Sequence, residues 1–551
     1  MRHRGIKALI KRFIAVVVLV VLGVSSAGLM GVAQVTPKPI PSIAEKNGHF
    51  ALTVDGEPFL VLGVQANNSS AWPAYLGKVW PAAETLHANT VELPVYWEQV
   101  EAEHGKYDFS LVDLILKQAR EHKVRLVLLW FGTWKNGSSH YTPKWVKADQ
   151  EKYPFVRGKD GQTIDSPSTF SSARLEADKK AFAALMRHLR EVDGERTVLM
   201  VQVQNEVGIW GGVRDFGAAA EKAFAGQVPE NLLKRLGKLP GTWKQVFGDE
   251  ADETFQAWCI ATYVEEVAAA GKAEYPLPLY VNAELRDPFG GKAGTYASGG
   301  PTYNQLDLWK VAAPSISAIG PDIYLPEYAK YMKVMEQYAR KDNPLMIPET
   351  GNPAEYARYV YAAIGHGAIG WAPFGLDLSG YSNQTSGPLG MEASALTPFA
   401  RQYGLLAPIS RKLAHWIYEG RLVKGSSENP AVHKETLEFM GWNAEVSYGM
   451  PSFGNGMEPK GNSPVDGGVV IVQLFPDEFL VTGHHARVDF APEASVAIAG
   501  KKRLFVHVEE IHITPENGWA TDRIWNGDQT DYGLNLRADE DVVLRVKLTT
   551  Y

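Results

Sequence analysis

Cysteine is almost absent from this 551-residue chain, which has a single Cys at position 259. No disulfide can form within the chain, and sites built on several thiolates are excluded. Cys259 lies in the helical pattern Phe255-Gln-Ala-Trp-Cys-Ile-Ala-Thr-Tyr263, where we expect a small buried hydrophobic residue. A chain of this length can draw its stability from a large core instead.

Excess positive charge is also missing. The chain has 55 Lys and Arg against 62 Asp and Glu, a net charge of −7, and no basic stripe. This composition argues against nucleic acid as a partner and favours a neutral or weakly charged ligand.

Zinc-type spacing of ligands is lacking as well. The adjacent pair His484-His485 has no further ligands beside it in sequence, so we interpret it as a strand or surface feature. We therefore expect no metal and no cofactor.

Long apolar runs are confined to the N-terminus. A basic stretch to Arg12, an apolar run from Phe13 to Val24 and small residues after it are typical of a secretory signal, with cleavage after Ala27 or Ala33. The run is short for a membrane span of about 20 residues, although an uncleaved anchor is the alternative. We predict export to the periplasm or the extracellular space, with residues 1–33 as the signal peptide.

From residue 50 to about 400, short apolar runs alternate with helical patterns. Eight strands and eight helical segments fit this region, and no convincing phosphate-binding glycine turn favours an open sheet. The pattern predicts an α/β fold, a (β/α)8 TIM barrel over residues 34–410 with an N-terminal hairpin at Asp55-Gly56. The predicted strands are residues 59–65, 90–97, 124–132, 198–206, 277–283, 316–324, 344–349 and 368–375.

The last part of the chain has a different pattern. Strand-like segments separated by Gly, Pro, Asn and Asp follow one another, and helical patterns are scarce. We predict a C-terminal β-sandwich domain over residues 411–551.

Two glutamates end predicted strands of the barrel. Glu206 ends the fourth strand in Gln202-Val-Gln-Asn-Glu-Val-Gly208, and Glu349 ends the seventh in Met346-Ile-Pro-Glu-Thr-Gly-Asn352. The carboxyl ends of all barrel strands open onto one face, so the two carboxylates can converge there. A buried strand end is an unfavourable place for an ionised carboxylate without partners or a role.

Glycoside hydrolysis uses such a pair, with one carboxyl as acid and the other as nucleophile about 5–5.5 Å away in retaining enzymes. The negative charge of Glu349 would then raise the pKa of Glu206 and keep it protonated. We predict Glu206 as acid/base and Glu349 as nucleophile, which need no cofactor.

These residues resemble clan A of the glycoside hydrolases, in which an Asn-Glu pair ends strand four and a Glu ends strand seven. The resemblance implies that Asn205 bonds the sugar 2-hydroxyl and that Tyr324, in Pro321-Asp-Ile-Tyr, contacts the nucleophile. It also implies that Trp371 on strand eight forms the floor beneath the sugar.

Within the clan, the chain is most similar to the family 35 β-galactosidases, of a bacterial subgroup with an appended β-domain. The similarity lies in Val91-Glu-Leu-Pro-Val-Tyr-Trp-Glu98 with the following Gly105-Lys-Tyr-Asp-Phe109, and in Leu129-Trp-Phe-Gly-Thr-Trp134. It implies that Tyr96, Thr133 and Trp134 contact substrate. Family 42 β-galactosidases are a close second on the same barrel.

Two positions depart from the family 35 pattern. Thr133 replaces a carboxylate that helps to hold galactose, and Glu98 replaces an Asn. We therefore keep three hypotheses: an exo-acting β-galactosidase, another clan A β-glycosidase (arabinopyranosidase, fucosidase or glucosidase), and a non-catalytic carbohydrate-binding barrel. The partner in each case is a carbohydrate.

Overall fold

A three-stranded antiparallel sheet opens the part of the chain that the computed structural model describes, which is residues 38–381, 393–450, 458–493, 500–514 and 518–551. The Asp55-Gly56 turn has positive φ at both residues, 57° and 86°, as a tight hairpin requires. The predicted signal segment lies outside the described residues. Within those residues, no helix is both long and apolar enough to span a bilayer. The strands are β1 (Ser42–Lys46), β2 (His49–Val54) and β3 (Glu57–Phe59).

Eight parallel strands then form a closed barrel in the order β10-β11-β12-β13-β4-β5-β6-β9, and β13 pairs with β4 to complete it. Nearly every strand residue is buried, as expected for strands covered on both faces. Each of the eight predicted strands overlaps one of them, so the predicted barrel fold is confirmed. The strands are β4 (Val61–Gln65), β5 (Thr90–Tyr96), β6 (Arg125–Lys135), β9 (Val198–Asn205), β10 (Leu279–Glu284), β11 (Ala318–Ile323), β12 (Met346–Thr350) and β13 (Gly370–Pro373).

Helices cover the outside of the barrel. The two longest, α5 (Ser172–Val192) and α9 (Ala251–Glu274), pack against each other beside β6 and β9. The helices are α1 (Pro73–Thr85), α2 (Trp97–Val100), α3 (Ser110–Glu121), α4 (Lys144–Lys147), α5 (Ser172–Val192), α6 (Ala218–Phe224), α7 (Glu230–Leu236), α8 (Trp243–Phe247), α9 (Ala251–Glu274), α10 (Leu306–Ala312), α11 (Tyr328–Tyr338), α12 (Tyr359–Gly365), α13 (Thr397–Leu406) and α14 (Ser410–Tyr418).

Two long connections follow the carboxyl ends of β6 and β9. The first contains α4 and a small hairpin of β7 (Phe155–Arg157) and β8 (Thr163–Pro167), and the second contains α6, α7 and α8. Both therefore lie on the side of the barrel where the predicted catalytic residues are.

The C-terminal strands form two antiparallel sheets with a shared apolar core, which agrees with the predicted β-sandwich. The predicted boundary at residue 411 falls at the start of α14, where the Arg411 guanidinium donates to the carbonyls of Val54, Glu57 and Pro58. The six-stranded sheet has the order β14-β17-β18-β23-β20-β21, and the four-stranded sheet has β15-β16-β19-β22. The strands are β14 (Val423–Ser427), β15 (Lys434–Phe439), β16 (Trp442–Ser447), β17 (Gly468–Phe475), β18 (Glu478–His484), β19 (Ala486–Pro492), β20 (Arg503–Ile513), β21 (Trp519–Ile524), β22 (Leu534–Leu536) and β23 (Val543–Thr550).

Candidate active site

The end of β9 has an irregular backbone that changes where its side chains point. Gln204 and Glu206 both adopt left-handed values, φ 67° and 44°, which cost a non-glycine residue roughly 1–2 kcal/mol. The Gln204 side chain accepts from the Trp134 backbone N–H at 3.0 Å and donates to Asp178 Oδ2 at 2.6 Å. Consecutive side chains of a regular strand point to opposite faces. Here the consecutive side chains of Asn205 and Glu206 both lie near the Glu349 carboxylate.

Glu349 lies within β12 and is only 3% exposed. Four neutral donors from four other parts of the barrel compensate for the hydration that burial removes from its carboxylate. Oε2 accepts from the Tyr324 hydroxyl at 2.7 Å. Oε1 accepts from Gln65 Nε2 at 3.0 Å, Asn205 Nδ2 at 3.2 Å and Asn282 Nδ2 at 3.3 Å.

Glu206, Asp322 and Glu349 form a cluster of three buried carboxyl groups. One oxygen of each lies within 4.8 Å of an oxygen of both others. Burial, and then the charge of Glu349, raises the pKa of Glu206 to about 7, while the nearby Lys135 ammonium acts in the opposite direction. The pKa of Asp322 is also raised, by burial first and then by Glu349. A hydrogen bond between Glu206 and Asp322 lowers the pKa of Glu206 and raises that of Asp322, so these two groups hold the protons of the cluster beside a hydrogen-bonded Glu349.

An all-oxygen cluster of this kind is also compatible with a hard divalent cation. Both oxygens of Glu349, however, already accept hydrogen bonds, and Asp322 Oδ2 accepts from Asn282 Nδ2 at 2.7 Å. Proton transfer among the carboxyl groups is the chemistry that these contacts support directly.

Residues 399–537 match the family described as a domain of unknown function, DUF5597. That segment contains most of α13, all of α14 and most of the C-terminal strands. Over 183 residues the chain is 27% identical to the beta-galactosidase of Xanthomonas manihotis. This similarity covers 32% of the chain and 28% of that protein, so the chain spans well under half the length of this relative.

Two solved structures illustrate the structural likenesses. The beta-galactosidase from Bacillus circulans sp. alkalophilus has a TM-score of 0.47 at 15% identity, covering 64% of this chain and 57% of that chain. The catalytic domain of the beta-amylase from Paenibacillus polymyxa has a TM-score of 0.47 at 11% identity, covering 62% of this chain and 96% of that chain. The fold assignment rests on the strand pairing of the barrel itself, and membership of family 35 stays a prediction.

Of the six predicted substrate-binding residues, the structure brings Asn205 and Tyr324 to the carboxylate cluster, where both donate to Glu349. Tyr324 is 37% exposed, so its ring borders open space at the barrel mouth. Phe374, directly beyond β13, contacts that ring edge-on with centroids 6.5 Å apart.

Thr133 and Trp134 are fully buried and face the helix layer. The Thr133 hydroxyl hydrogen-bonds the Tyr263 hydroxyl of α9 at 2.9 Å, and the Trp134 ring meets the Tyr263 ring edge-on at 4.8 Å. An irregularity in the β6–β9 pairing between Trp130 and Lys135 lets both neighbours contact one tyrosine. The charge of the next residue, Lys135, acts on the carboxylate cluster, where it lowers the pKa of Glu206 against the effect of burial.

Trp371, the expected floor beneath the sugar, has its contacts on the helix side of the barrel, and its role in substrate binding stays a prediction. Its indole N–H donates to the Tyr331 hydroxyl of α11 at 3.0 Å, and its ring stacks on Phe399 of α13 at 6.1 Å. Side chains alternate along β13, so this residue faces the helices. Phe374 is three positions further along the chain, so its side chain points to the other face and lies beside Tyr324.

Tyr96 is 1% exposed and lies inside an aromatic stack. Its ring is parallel to those of Trp72 and Tyr141, with centroids 5.6 and 5.3 Å away. Tyr96 therefore supports the exposed Trp72 from below and has little surface of its own for a ligand. Trp72 borders an open cleft, and part of its lining comes from the segment that follows β4 in the chain. Besides Trp72, the lining residues are Asn67, Asn68, Ser69, Ser70, Tyr75, Tyr141, Ser379, Gly380 and Tyr381.

Several residues of the site were missed in the sequence. Asn282 is the penultimate residue of predicted strand five, and Asp322 lies in the Pro321-Asp-Ile-Tyr segment of predicted strand six, so polar residues near strand ends were the available signal. Glu284 lies near the cluster as well: burial, and then the charge of Glu206, raises its pKa to about 8. Its Oε2 accepts from the Ala297 N–H at 2.9 Å.

Proposed function

We propose that the protein is a retaining exo-β-glycosidase that uses Glu349 as nucleophile and Glu206 as acid/base. The observation that carries this proposal is the separation of at most 4.8 Å between an oxygen of Glu206 and one of Glu349. Carboxyl groups about 5–5.5 Å apart serve double displacement, whereas inverting enzymes need about 6.5–9.5 Å to admit a water.

In the first step Glu349 attacks the anomeric carbon, and the bond from that carbon to the glycosidic oxygen breaks. Glu206 gives its proton to the departing oxygen, for which a pKa of about 7 is suited near neutral pH. Asn205 donates to Glu349 at 3.2 Å and is placed to hydrogen-bond the neighbouring 2-hydroxyl of the sugar.

In the second step the glycosyl ester on Glu349 is hydrolysed. Ester formation removes the negative charge that raises the pKa of Glu206, so Glu206 is now a carboxylate that accepts a proton from water. The resulting hydroxide equivalent attacks the anomeric carbon, and Glu349 leaves as a carboxylate. Sugar is released with its original anomeric configuration.

Terminal β-galactosyl residues of an oligo- or polysaccharide are our proposed substrate. The 27% identity with the beta-galactosidase of Xanthomonas manihotis supports this choice. Thr133 faces α9, so sugar selectivity would have to come from other residues of the barrel mouth. An arabinopyranosidase, fucosidase or glucosidase of the same mechanism is the second candidate.

The aromatic cleft beside Trp72 favours a glycan with more than one sugar unit. Trp72, Tyr75 and Tyr381 are 42%, 44% and 59% exposed and offer flat apolar faces at the barrel mouth. Sugar rings stack on such faces, so we propose that the leaving part of the glycan lies there.

A panel of nitrophenyl β-glycosides, with the anomer of the released sugar followed by NMR, tests the proposal. We expect fastest release from the β-galactoside and a β-configured first product. Glu349→Gly should lose activity, and added azide should restore turnover with an α-glycosyl azide, since azide then attacks from the vacated face. Glu445→Gln, which alters an acid paired with Lys434 on the four-stranded C-terminal sheet, is the control with activity retained.

An α-configured first product would reject the retaining mechanism. Preference for another sugar would keep the mechanism and change the substrate. Sugar binding without turnover on glycosides and extended glycans would favour the non-catalytic carbohydrate-binding barrel.

Export to the periplasm or outside the cell is a further proposal, supported by the basic and apolar segments before residue 34. Mass spectrometry of the N-terminus of the secreted chain tests it. Cleavage after Ala27 or Ala33 is expected, and retention of the whole segment would indicate an anchor.

A further inference from the structure

Two neighbouring histidines lie where the chain crosses between the two C-terminal sheets. His484 ends β18 in the six-stranded sheet, and β19 begins at Ala486 in the four-stranded sheet. His485, the one residue between them, has a left-handed backbone with φ 51°. This turn lets consecutive side chains converge, which a regular strand does not allow.

Asp466, just before β17, is the acid on which both rings converge. Its Oδ1 lies 2.7 Å from His485 Nδ1, and its Oδ2 lies 3.4 Å from His484 Nε2. One ligand atom from each of the three residues lies within 4.8 Å of the other two. The third ligand that the adjacent histidines lacked in sequence is therefore supplied by the fold.

His484 is 1% exposed, and neither of its ring nitrogens makes a hydrogen bond within the part of the chain that the structure describes. A buried polar group without a partner destabilises the fold. A neutral imidazole has one nitrogen lone pair that can bind a metal ion. The carboxylate of Asp466, 3.4 Å from His484 Nε2, has no proton to donate to that lone pair.

The loop that carries Asp466 is held in place independently of the histidines. Glu428, fully buried, accepts from the Asn462 N–H at 2.7 Å, from Asn462 Nδ2 at 2.8 Å and from the Gly467 N–H at 3.1 Å. Asn462 Nδ2 also donates to the carbonyl of His485 at 2.7 Å. These contacts fix both sides of the site before any ion binds, as a preorganised metal site requires.

We propose that His484, His485 and Asp466 bind a Zn²⁺-type transition-metal ion. Metal bonds of about 2.0–2.2 Å to nitrogen and oxygen place tetrahedral ligands about 3.4 Å apart, which is the separation of His484 Nε2 and Asp466 Oδ2. The 2.7 Å contact between His485 Nδ1 and Asp466 Oδ1 would lengthen to that distance as the ion replaces the shared proton. Two imidazoles and a carboxylate suit zinc better than calcium or magnesium. The side chains of His485 and Asp466 are 32% and 24% exposed, so water can reach the fourth position. The ion would join the ends of the two sheets, apart from the barrel carboxylates.

Zinc titration of the tag-free full chain, stripped with a chelator, tests the site by calorimetry. We expect one equivalent to bind, and His485→Ala or Asp466→Asn to weaken the affinity by about 10²-fold or more. The matched control is His512→Ala, which removes a histidine that contacts a single acid, Asp522, also at 2.7 Å. This control should bind zinc like the wild type.

Two further readouts separate a metal site from a plain histidine–aspartate contact. Zinc should raise the melting temperature of the wild type and of His512→Ala but leave that of His485→Ala unchanged. With cobalt in place of zinc, the wild type should show the visible absorption bands of a tetrahedral ion. His485→Ala and Asp466→Asn should not show these bands. Absence of stoichiometric binding by the wild type, or unchanged affinity in folded His485→Ala and Asp466→Asn, would overturn the proposal.

Discussion

Asn282 touches both proposed catalytic carboxyl residues at once. Its Oδ1 accepts from the Glu206 backbone N–H at 2.9 Å, while its Nδ2 donates to Glu349 Oε1 at 3.3 Å and to Asp322 Oδ2 at 2.7 Å. One amide at the end of β10 thus sets the separation of the acid and the nucleophile.

Asn282→Ala should reduce kcat on the order of 10²-fold, because small misplacements of reacting groups cost about that much. KM should change little, since Asn282 acts through other residues. Steady-state kinetics on the best nitrophenyl glycoside measure both constants. The control is Asn304→Ala, which removes an amide that donates to Glu253 of α9. Equal kcat values for the two variants would reject the positioning role.

Lys135 should set the alkaline limit of activity. Protonated Glu206 is the active form of the acid, so kcat/KM should fall as pH rises through about 7. The Lys135 ammonium favours the ionised form of Glu206, and Lys135→Met should therefore raise its pKa and move the alkaline limb to higher pH.

The pH profile of kcat/KM for wild type and Lys135→Met checks this sign. Lys147→Met removes a cation that pairs with Glu98 at 2.9 Å, and its profile should match the wild type. A limb that moves to lower pH in Lys135→Met would show that the lysine acts on another group.

The parts of the molecule that sequence could predict depend on local pattern. Apolar runs placed all eight barrel strands, and polar residues at two strand ends pointed to Glu206 and Glu349. The direction of single side chains was not accessible, because a shift of one residue reverses the face of a strand. The irregularity before Lys135 and the alternation along β13 turned Thr133, Trp134 and Trp371 towards helices. Asn282 and Asp466 acquire their partners only through long-range folding.

Phe374, rather than Trp371, should act on sugar binding, and it should do so through the Tyr324 ring that it packs against, because Phe374 is itself only 4% exposed. Phe374→Leu keeps an apolar side chain but loses the flat ring that packs against Tyr324, so KM should rise several-fold, and the lost core volume should lower stability on the order of 1 kcal/mol. Trp371→Phe loses the hydrogen bond to Tyr331 and should lower stability by about 1 kcal/mol while leaving KM unchanged.

Kinetics and thermal unfolding of both variants give the comparison. The two substitutions act on opposite faces of the same strand end, so each serves as the control for the other. A rise in KM confined to Trp371→Phe would restore the tryptophan as the sugar-binding residue.

Glu206→Gln should stabilise the fold at alkaline pH while it abolishes efficient hydrolysis. The folded pKa of about 7 lies above the usual value of 4.5, so the folded chain binds the proton more tightly than the unfolded chain. Stability that depends on this proton is present below pH 4.5 and is lost as pH rises through 7. Gln carries no charge at any pH, so its advantage over Glu should grow to on the order of 3 kcal/mol at pH 8.

Melting temperatures of wild type and Glu206→Gln at pH 5 and pH 8 measure this effect. The difference between the two proteins should be small at pH 5 and favour the variant at pH 8. Glu98→Gln, on the surface, should show no such dependence. A wild type that stays the more stable protein at pH 8 would mean that Glu206 gains more from its partners when ionised than burial costs, and the assignment of Glu206 as a proton-holding acid would then fail.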